Sequence, residues 1–267
     1  MIVNFLKKIN NIPFPLTIKH YFAFDDSTKY LKDGNLSSSE SWDILRESHP
    51  HFSISDNREE WIKVNEQLIK KDGQDGGLKE RAKDVAEILK NNHINSVFSA
   101  GCGGAGLEYH LKKNLPEIKL TCSEYSKVAV DKLKKVFLEA DSIILFDMKS
   151  KDWSVANNLS NPNQNLVLLY RIDIDLSNEE MQKMFKNMYN SGIENVLIIL
   201  CGRLTLKSLI SRLRQRLSWK IKGIRYSFSG YLRSEKKFLE FFDEFYKSEK
   251  VVCGGLHGFL LKKINVV

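Results

Sequence analysis

The run Val97-Phe98-Ser99-Ala100-Gly101-Cys102-Gly103-Gly104-Ala105-Gly106 carries an apolar stretch into a glycine turn, and Leu107-Glu108 opens a helical pattern directly behind it. A buried strand that turns sharply into a helix belongs to an open α/β sheet, which excludes most other folds. Glycines at 101, 103 and 106 remove the Cβ atoms that would hold a ligand away from the backbone. The first amides of the new helix point at the same spot, so the turn predicts a pocket for a nucleotide-like cofactor. Glu124 follows the apolar stretch Ile118 to Cys122, where a carboxylate is placed to accept from ribose hydroxyls.

Beyond the turn the pattern alternates. It predicts strands over 118–123, 142–146, 165–170 and 195–200, and helices over 127–139 and 178–190. Val130, Leu133, Val136 and Phe137 share one face of the first helix. Ser177 and Glu180 have capping-box spacing at the head of the second, whose Met181, Met184, Phe185 and Met188 form a core-facing stripe. A helix over 234–246 and a hairpin close the chain, with strands Val251 to Cys253 and Phe259 to Ile264 about the turn Gly254-Gly255-Leu256-His257-Gly258. Together these predict an α/β fold with a Rossmann-like, seven-stranded, mostly parallel sheet and a terminal antiparallel hairpin. Residues 1–77, broken by Pro13, Pro15 and Pro50, read as a helical accessory segment with short helices through Trp42 and Leu45 and through Trp61, Val64 and Leu68. The expected division is a cap over 1–77 and a cofactor-binding domain over 78–267.

With 267 residues, 42% hydrophobic and 28% charged, the chain can bury one good core and a smaller accessory layer. A formal charge of +8 favours an anionic partner: a phosphorylated metabolite, a nucleic acid or a membrane surface. The apolar runs, at Met1 to Lys8 and Val196 to Cys201, are too short for a secretory leader or a membrane span, so the expected location is the cytoplasm. Cys102, Cys122, Cys201 and Cys253 form no Cys-x-x-Cys pair and read as reduced core residues, with no metal site.

Residues 203–229 hold Arg203, Lys207, Arg212, Arg214, Arg216, Lys220, Lys222 and Arg225 and no acid, beside Leu206, Leu209, Ile210, Leu213 and Leu217. The favoured reading is an anion-binding lid with Arg203, Arg225 and Arg233 nearest the pocket mouth, because the guanidinium fork suits phosphate and carboxylate. A solvated face and a peripheral membrane-surface helix are the alternatives.

Taken literally, Gly101-x-Gly103-x-x-Gly106 is also the dinucleotide fingerprint, which keeps an NAD-dependent oxidoreductase in view. Glu108, in the first helical turn, would repel a pyrophosphate and attract an ammonium group. S-adenosylmethionine (SAM) carries an ammonium and a sulfonium and no phosphate. On these residues the chain resembles the class I SAM-dependent methyltransferases over roughly residues 78 to 267. Val97 to Gly106 resembles that family's first motif, and Glu124 its acid after the second strand. Asp147-Met148 is similar to the pair that reads the adenine edge, and Tyr170-Arg171-Ile172-Asp173 occupies the fourth-motif position. Gly230-Tyr231-Leu232-Arg233-Ser234 is similar to the small-molecule branch.

The resemblance implies SAM as cofactor, held by Ser99, Gly101, Cys102, Gly103, Glu108, Glu124, Tyr125, Asp147, Met148 and Arg171. Two positions depart from the pattern: Ser99 stands where the family has an acid, and Ala105 where it has the last motif glycine. Glu108 is expected to supply the charge that Ser99 lacks. If the acceptor is a hydroxyl, a base must take its proton, and Asp173, His257 and Tyr170 are the candidates, with His110 a fourth.

The expected function is therefore methyl transfer to a small polar, anionic acceptor, such as a sugar or sugar phosphate of surface-glycan assembly, with O-methylation favoured. Nucleic-acid methylation is the nearest rival. Enzymes of that kind that modify base amino groups have an Asn or Asp followed by two prolines and an aromatic after the fourth strand; here the exit reads Arg171-Ile172-Asp173-Ile174. A non-catalytic SAM-binding protein is a different class of answer, supported by Ser99 and Ala105.

Overall fold

The computed structural model describes residues 11–23, 39–48, 52–71, 77–157, 162–224 and 226–264. In chain order its first elements are Thr17–Ala23 (β1), Ser39–Ser48 (α1), Arg58–Lys71 (α2), Gly77–Asn91 (α3), Ser96–Ala100 (β2), Gly106–Asn114 (α4), Lys119–Glu124 (β3), Lys127–Val136 (α5) and Ser142–Leu145 (β4). Asn165–Tyr170 (β5), Asn178–Asn190 (α6), Asn195–Ile199 (β6), Leu206–Ile221 (α7), Tyr226–Arg233 (β7), Glu235–Phe242 (α8), Tyr246–Cys253 (β8) and Leu256–Lys263 (β9) follow.

Seven strands form the main sheet in the order β4-β3-β2-β5-β6-β9-β8. The first five pair in parallel, and β9 joins β6 antiparallel with β8 outside it. This is the α/β architecture expected from the sequence. Strands buried on both faces need apolar residues at successive positions, and β2, β5 and β6 have them. Val97 faces a core built with Ala82, Val85 and Leu89 of α3 and Leu107 and Leu111 of α4. Its neighbours Phe98 and Ala100 face the opposite core, made by the α6 methionines, Phe185, Trp153 and the α8 phenylalanines. The methionine stripe is therefore packing, as its spacing predicts. Ser177 and Glu180 complete the capping box at α6, and Ser126 caps α5 by accepting from the Ala129 amide.

Several boundaries differ from the sequence reading. Helix α8 stops at Phe242, because Tyr246 is buried with its hydroxyl donating to the Ile193 carbonyl (3.2 Å) and starts a strand. That strand, β8, begins five residues before Val251; its lysines and glutamate belong to an exposed edge, where charged side chains discourage pairing with other chains. The Gly254-Gly255 turn places His257 inside β9, opposite Val252. Helix α5 ends at Val136, three residues early.

The accessory segment is not purely helical. Thr17–Ala23 forms β1, which pairs antiparallel with β7 in a separate two-stranded ribbon, from Thr17 opposite Arg233 to Ala23 opposite Tyr226. Periodicity over so short a stretch cannot reveal a partner more than 200 residues away. Ser234 stitches the two ends together: its amide donates to the Leu16 carbonyl (2.9 Å) and its hydroxyl accepts from the Leu16 amide (2.9 Å). The helices α1 and α2 dock on the glycine-turn side of the sheet. Asp43 of α1 accepts from the Val128 amide at the head of α5 (3.1 Å), and Trp61 of α2 donates its indole N–H to the Gly104 carbonyl (3.0 Å).

Gly230 sets how closely the ribbon approaches the sheet. Its φ is +126°, and a Cβ there would lie 2.1 Å from the Ile174 carbonyl oxygen, which accepts from the Tyr231 amide at 2.9 Å. No side chain fits between the two backbones. The substitution Gly230→Ala is expected to destabilise the fold by about 2–3 kcal/mol, read as a lowered urea midpoint, and an unchanged midpoint would contradict this contact.

Candidate active site

Past the end of β2, the amides of Gly101 and Cys102 both donate to the Ser123 carbonyl of β3 (2.9 and 3.0 Å). This bends the chain across the strand ends, with Gly101 at φ +70° and Gly103 at φ +60°. A Cβ on Gly101 would meet Ile172 Cγ2 at 3.0 Å and Met148 Cε at 3.2 Å. Glu124 closes the turn from the other side: Oε2 accepts from the Gly103 amide at 2.7 Å and Oε1 from the Tyr125 amide at 3.1 Å. A carboxylate has about four acceptor sites, so lone pairs remain for ribose hydroxyls. Ala105, the non-glycine in this motif, still adopts φ +57° and precedes α4, a conformation that disfavours a residue with a Cβ.

A cavity of about 620 Å³ opens above the turn, within the range that holds a cofactor-sized ligand. Gly101, Cys102, Gly103, Glu108, Glu124, Tyr125, Asp147, Met148 and Arg171 all line it. Asp147 is exposed there, its Oδ1 accepting from the Lys149 amide (2.8 Å). Ser99 lies just beneath, buried, and donates its hydroxyl to Glu108 Oε1 at 2.5 Å.

Glu108 is fully buried, and its Oε2 has no hydrogen-bond partner among the described residues. Burial pushes its carboxyl up to about 7. An unpaired buried carboxylate oxygen costs free energy that a ligand cation would recover. The residues present therefore fit a ligand with an ammonium group beside the turn and ribose hydroxyls at Glu124.

The candidate bases divide. Tyr170 lines the cavity, with its hydroxyl accepting from Arg81 Nη1 at 3.0 Å. Asp173 does not line it: the residue is fully buried, Oδ1 accepts from the Cys201 amide at 2.6 Å, and burial raises its carboxyl to about 6. Arg171, at φ +59°, turns the chain as it leaves β5, so that Ile172, Ile174 and Asp175 face the cavity while Asp173 faces the β6 exit. Neither His257 nor His110 lines the cavity. His257 is exposed on β9, and its carbonyl accepts from Leu200 (2.9 Å); His110 is buried with Nε2 3.3 Å from the Asn65 carbonyl.

Sequence reasoning missed Asp175. Asp175 is exposed at the cavity wall; crowding by that wall, with the carboxylates of Asp173 and Glu124 adding to it and Arg46 opposing, pushes its carboxyl up to about 7. It also missed Arg46, from α1, whose guanidinium stacks on Trp42 (5.0 Å) and would stand 3.0 Å from a Cβ on Gly103. Neither residue sits in a motif; only the acid two positions beyond Asp173 offered a signal.

The expected arginine lid is not where the spacing put it. Arg233 is fully buried: Nε donates to Asn178 Oδ1 (2.8 Å), and its two terminal nitrogens donate to the carbonyls of Asp173 and Leu176. A buried guanidinium is held by internal acceptors, and Arg233 does not line the cavity. Arg203 is ion-paired with Glu235 and does not line the cavity. Arg225 falls outside the described residues. Among the described residues of the stretch 203–229, Ser229 alone reaches the cavity wall.

No family model matches the chain. No curated protein matches its sequence. Solved structures match it by fold. PigF with SAH is 15% identical over 76% of this chain and 62% of its own, with a TM-score of 0.50. Human N-acetylserotonin methyltransferase in complex with SAM is 12% identical over 90% of this chain and 65% of its own, at 0.53. TnmH is 12% identical over 76% and 57%, also at 0.53. The chain thus spans less than two thirds of the length of these proteins. At such identities the likeness is one of fold: strand order, terminal hairpin and glycine turn give this chain the fold of the class I SAM-dependent methyltransferases.

Proposed function

We propose that this protein is a SAM-dependent methyltransferase acting in the cytoplasm on a small polar, anionic acceptor, with residues 1–77 as an accessory cap and 78–267 as the catalytic domain. The observation that carries the reading is the Ser99–Glu108 pair. A buried carboxylate with one oxygen unpaired, directly beside a glycine turn, is matched by the ammonium group of an amino-acid moiety and opposed by the pyrophosphate that a dinucleotide sets against such a turn. Glu108 holds that ammonium, Glu124 the ribose hydroxyls, and Asp147 and Met148 the adenine edge, with Tyr125 against its face. Gly101, Cys102 and Gly103 supply backbone, and Arg171 shapes the acceptor side.

When bound, SAM supplies a methyl group on a sulfonium sulfur. The chain must align a nucleophile with that methyl and take its proton. Asp175 faces the cavity with a carboxyl poised near neutral pH, where a base is most effective, and it takes the hydroxyl proton in O-methylation. Arg46, Lys149 and Arg171 border the same space and give an anionic acceptor its counter-charge. A sugar or sugar phosphate has both the hydroxyl and the polarity this wall asks for. Tyr170 orients the acceptor, and Asp173 works at one remove by holding the Cys201 amide.

Two titrations near pH 7 follow, and separate variants distinguish them. Glu108 ionises as pH rises through about 7, so SAM affinity by calorimetry is expected to climb over that interval. Glu108→Gln is expected to weaken binding roughly tenfold or more and to abolish the climb; unchanged affinity would remove Glu108 from the site.

With SAM saturating and a panel of sugar phosphates as acceptors, kcat/KM is expected to rise through about pH 7 as Asp175 loses its proton. Asp175→Asn is expected to lower kcat by roughly 10²–10⁴ and flatten that limb while SAM affinity holds. Tight SAM binding without turnover on any acceptor would instead support a non-catalytic binding protein.

A further inference from the structure

Helix α7 turns the wrong face outward for a helix that meets only water. Leu206, Ile210, Leu213, Leu217 and Ile221 recur at helical spacing along one stripe, and all are exposed, with Leu213 at 57%, Leu217 at 60% and Ile221 at 76%. The face packed on the protein is the mixed one. Leu209 lies against Leu204 and Leu232, Trp219 stacks on Tyr226 (centroids 5.8 Å, 26°), and Arg216 sits over the Tyr21 ring at 4.6 Å. An amphipathic helix normally buries its apolar stripe, and this one presents it.

The charge around the stripe identifies what it meets. Arg214 and Lys220 flank the exposed leucines on either side, Lys222 follows, and the stretch 203–229 contains no carboxylate. Beside the helix, Tyr226 and Phe228 of β7 are also partly exposed. We propose that α7 and the adjoining β1–β7 ribbon form an in-plane docking surface for an anionic lipid bilayer. The leucine stripe enters the acyl boundary, and the flanking cations stay at the headgroup phosphates. At 1.5 Å per residue the helix lies about 24 Å along the surface. No described helix is long and apolar enough to cross a membrane, so the contact is peripheral in kind.

Other occupants fit less well. A second copy docked through the same face would set two cationic rows against each other with no acid from this stretch to offset them. A nucleic acid would find outward leucines where phosphate contacts are needed. Among the described residues, the surface touches the wall of the cofactor cavity through Ser229 of β7 alone.

The test is co-sedimentation of the full chain with phosphatidylcholine vesicles with and without phosphatidylserine, at low and high salt. Binding to the phosphatidylserine vesicles is expected, falling as salt screens the cations. The double variant Leu213→Ser/Leu217→Ser is expected to lose roughly tenfold or more of that binding, and Arg214→Gln/Lys220→Gln to weaken it several-fold. Both should keep the wild-type melting shift with S-adenosylhomocysteine, which shows that they fold.

Failure of the folded wild type to bind anionic vesicles would overturn the proposal. So would a dimer, seen by analytical ultracentrifugation, that the leucine variant dissolves, or retention on duplex nucleic acid but not on vesicles. Because SAM binding is read separately, a vesicle-negative, SAM-positive protein leaves the methyltransferase reading intact.

Discussion

One carbonyl accepting two amides organises this protein's site. Gly101 and Cys102 donate together to Ser123, which prolongs the pairing of β2 with β3 past the end of the sheet and forces the chain through positive φ. Only a residue without a Cβ leaves room for Ile172 and Met148 at that point. Once the bend is made, Gly103 meets Glu124, α4 starts over the cavity, and Trp61 from the accessory segment reaches the Gly104 carbonyl. Loss of the bend would separate every group that faces the cavity.

The acid that the first motif lacks is supplied from a different element. Side chains on a helix lean toward its N-terminus, so Glu108 in the first turn of α4 reaches back to the place above β2. Ser99 is small enough to admit it and donates the hydrogen bond that holds it there. The sequence suggests this exchange because Ser99 lacks the charge and Glu108 stands in the first helical turn behind it. The exit of β5 is the opposite case. Asp173 matched a motif position, yet the left-handed turn at Arg171 sends it into the protein and brings Asp175 to the cavity. Linear spacing cannot detect a single residue with positive φ, and that one angle decides which acid meets solvent.

The basic stretch 203–229 shows how composition can be right and placement wrong. Its cations and leucines were plain in the chain, but a helical wheel has no absolute orientation. The pairing of β1 with β7 fixes which side of α7 packs, and it leaves the leucines outward. Arg233, which composition and position alone assign to ligand binding, instead joins the loop after β5 to β7 by donating to backbone carbonyls on the far side. Gly230 serves the same junction and Ser234 ties the chain before β1 to the end of β7, so that motif is structural in each of these three members.

What the sequence determined alone was local or repetitive. The sheet's parallel order, the capping box of α6, the glycine turn, Glu124 and Glu108 each follow from a short-range rule of sterics, periodicity or charge. What the tertiary structure decided rests on contacts between distant segments: β1 beside β7, Arg46 over the glycine turn, Asp175 rather than Asp173 in the cavity, and an outward apolar face on α7. These depend on which surfaces are already covered when two segments meet. Burial is a property of the packed chain, and no residue carries it in its own side chain.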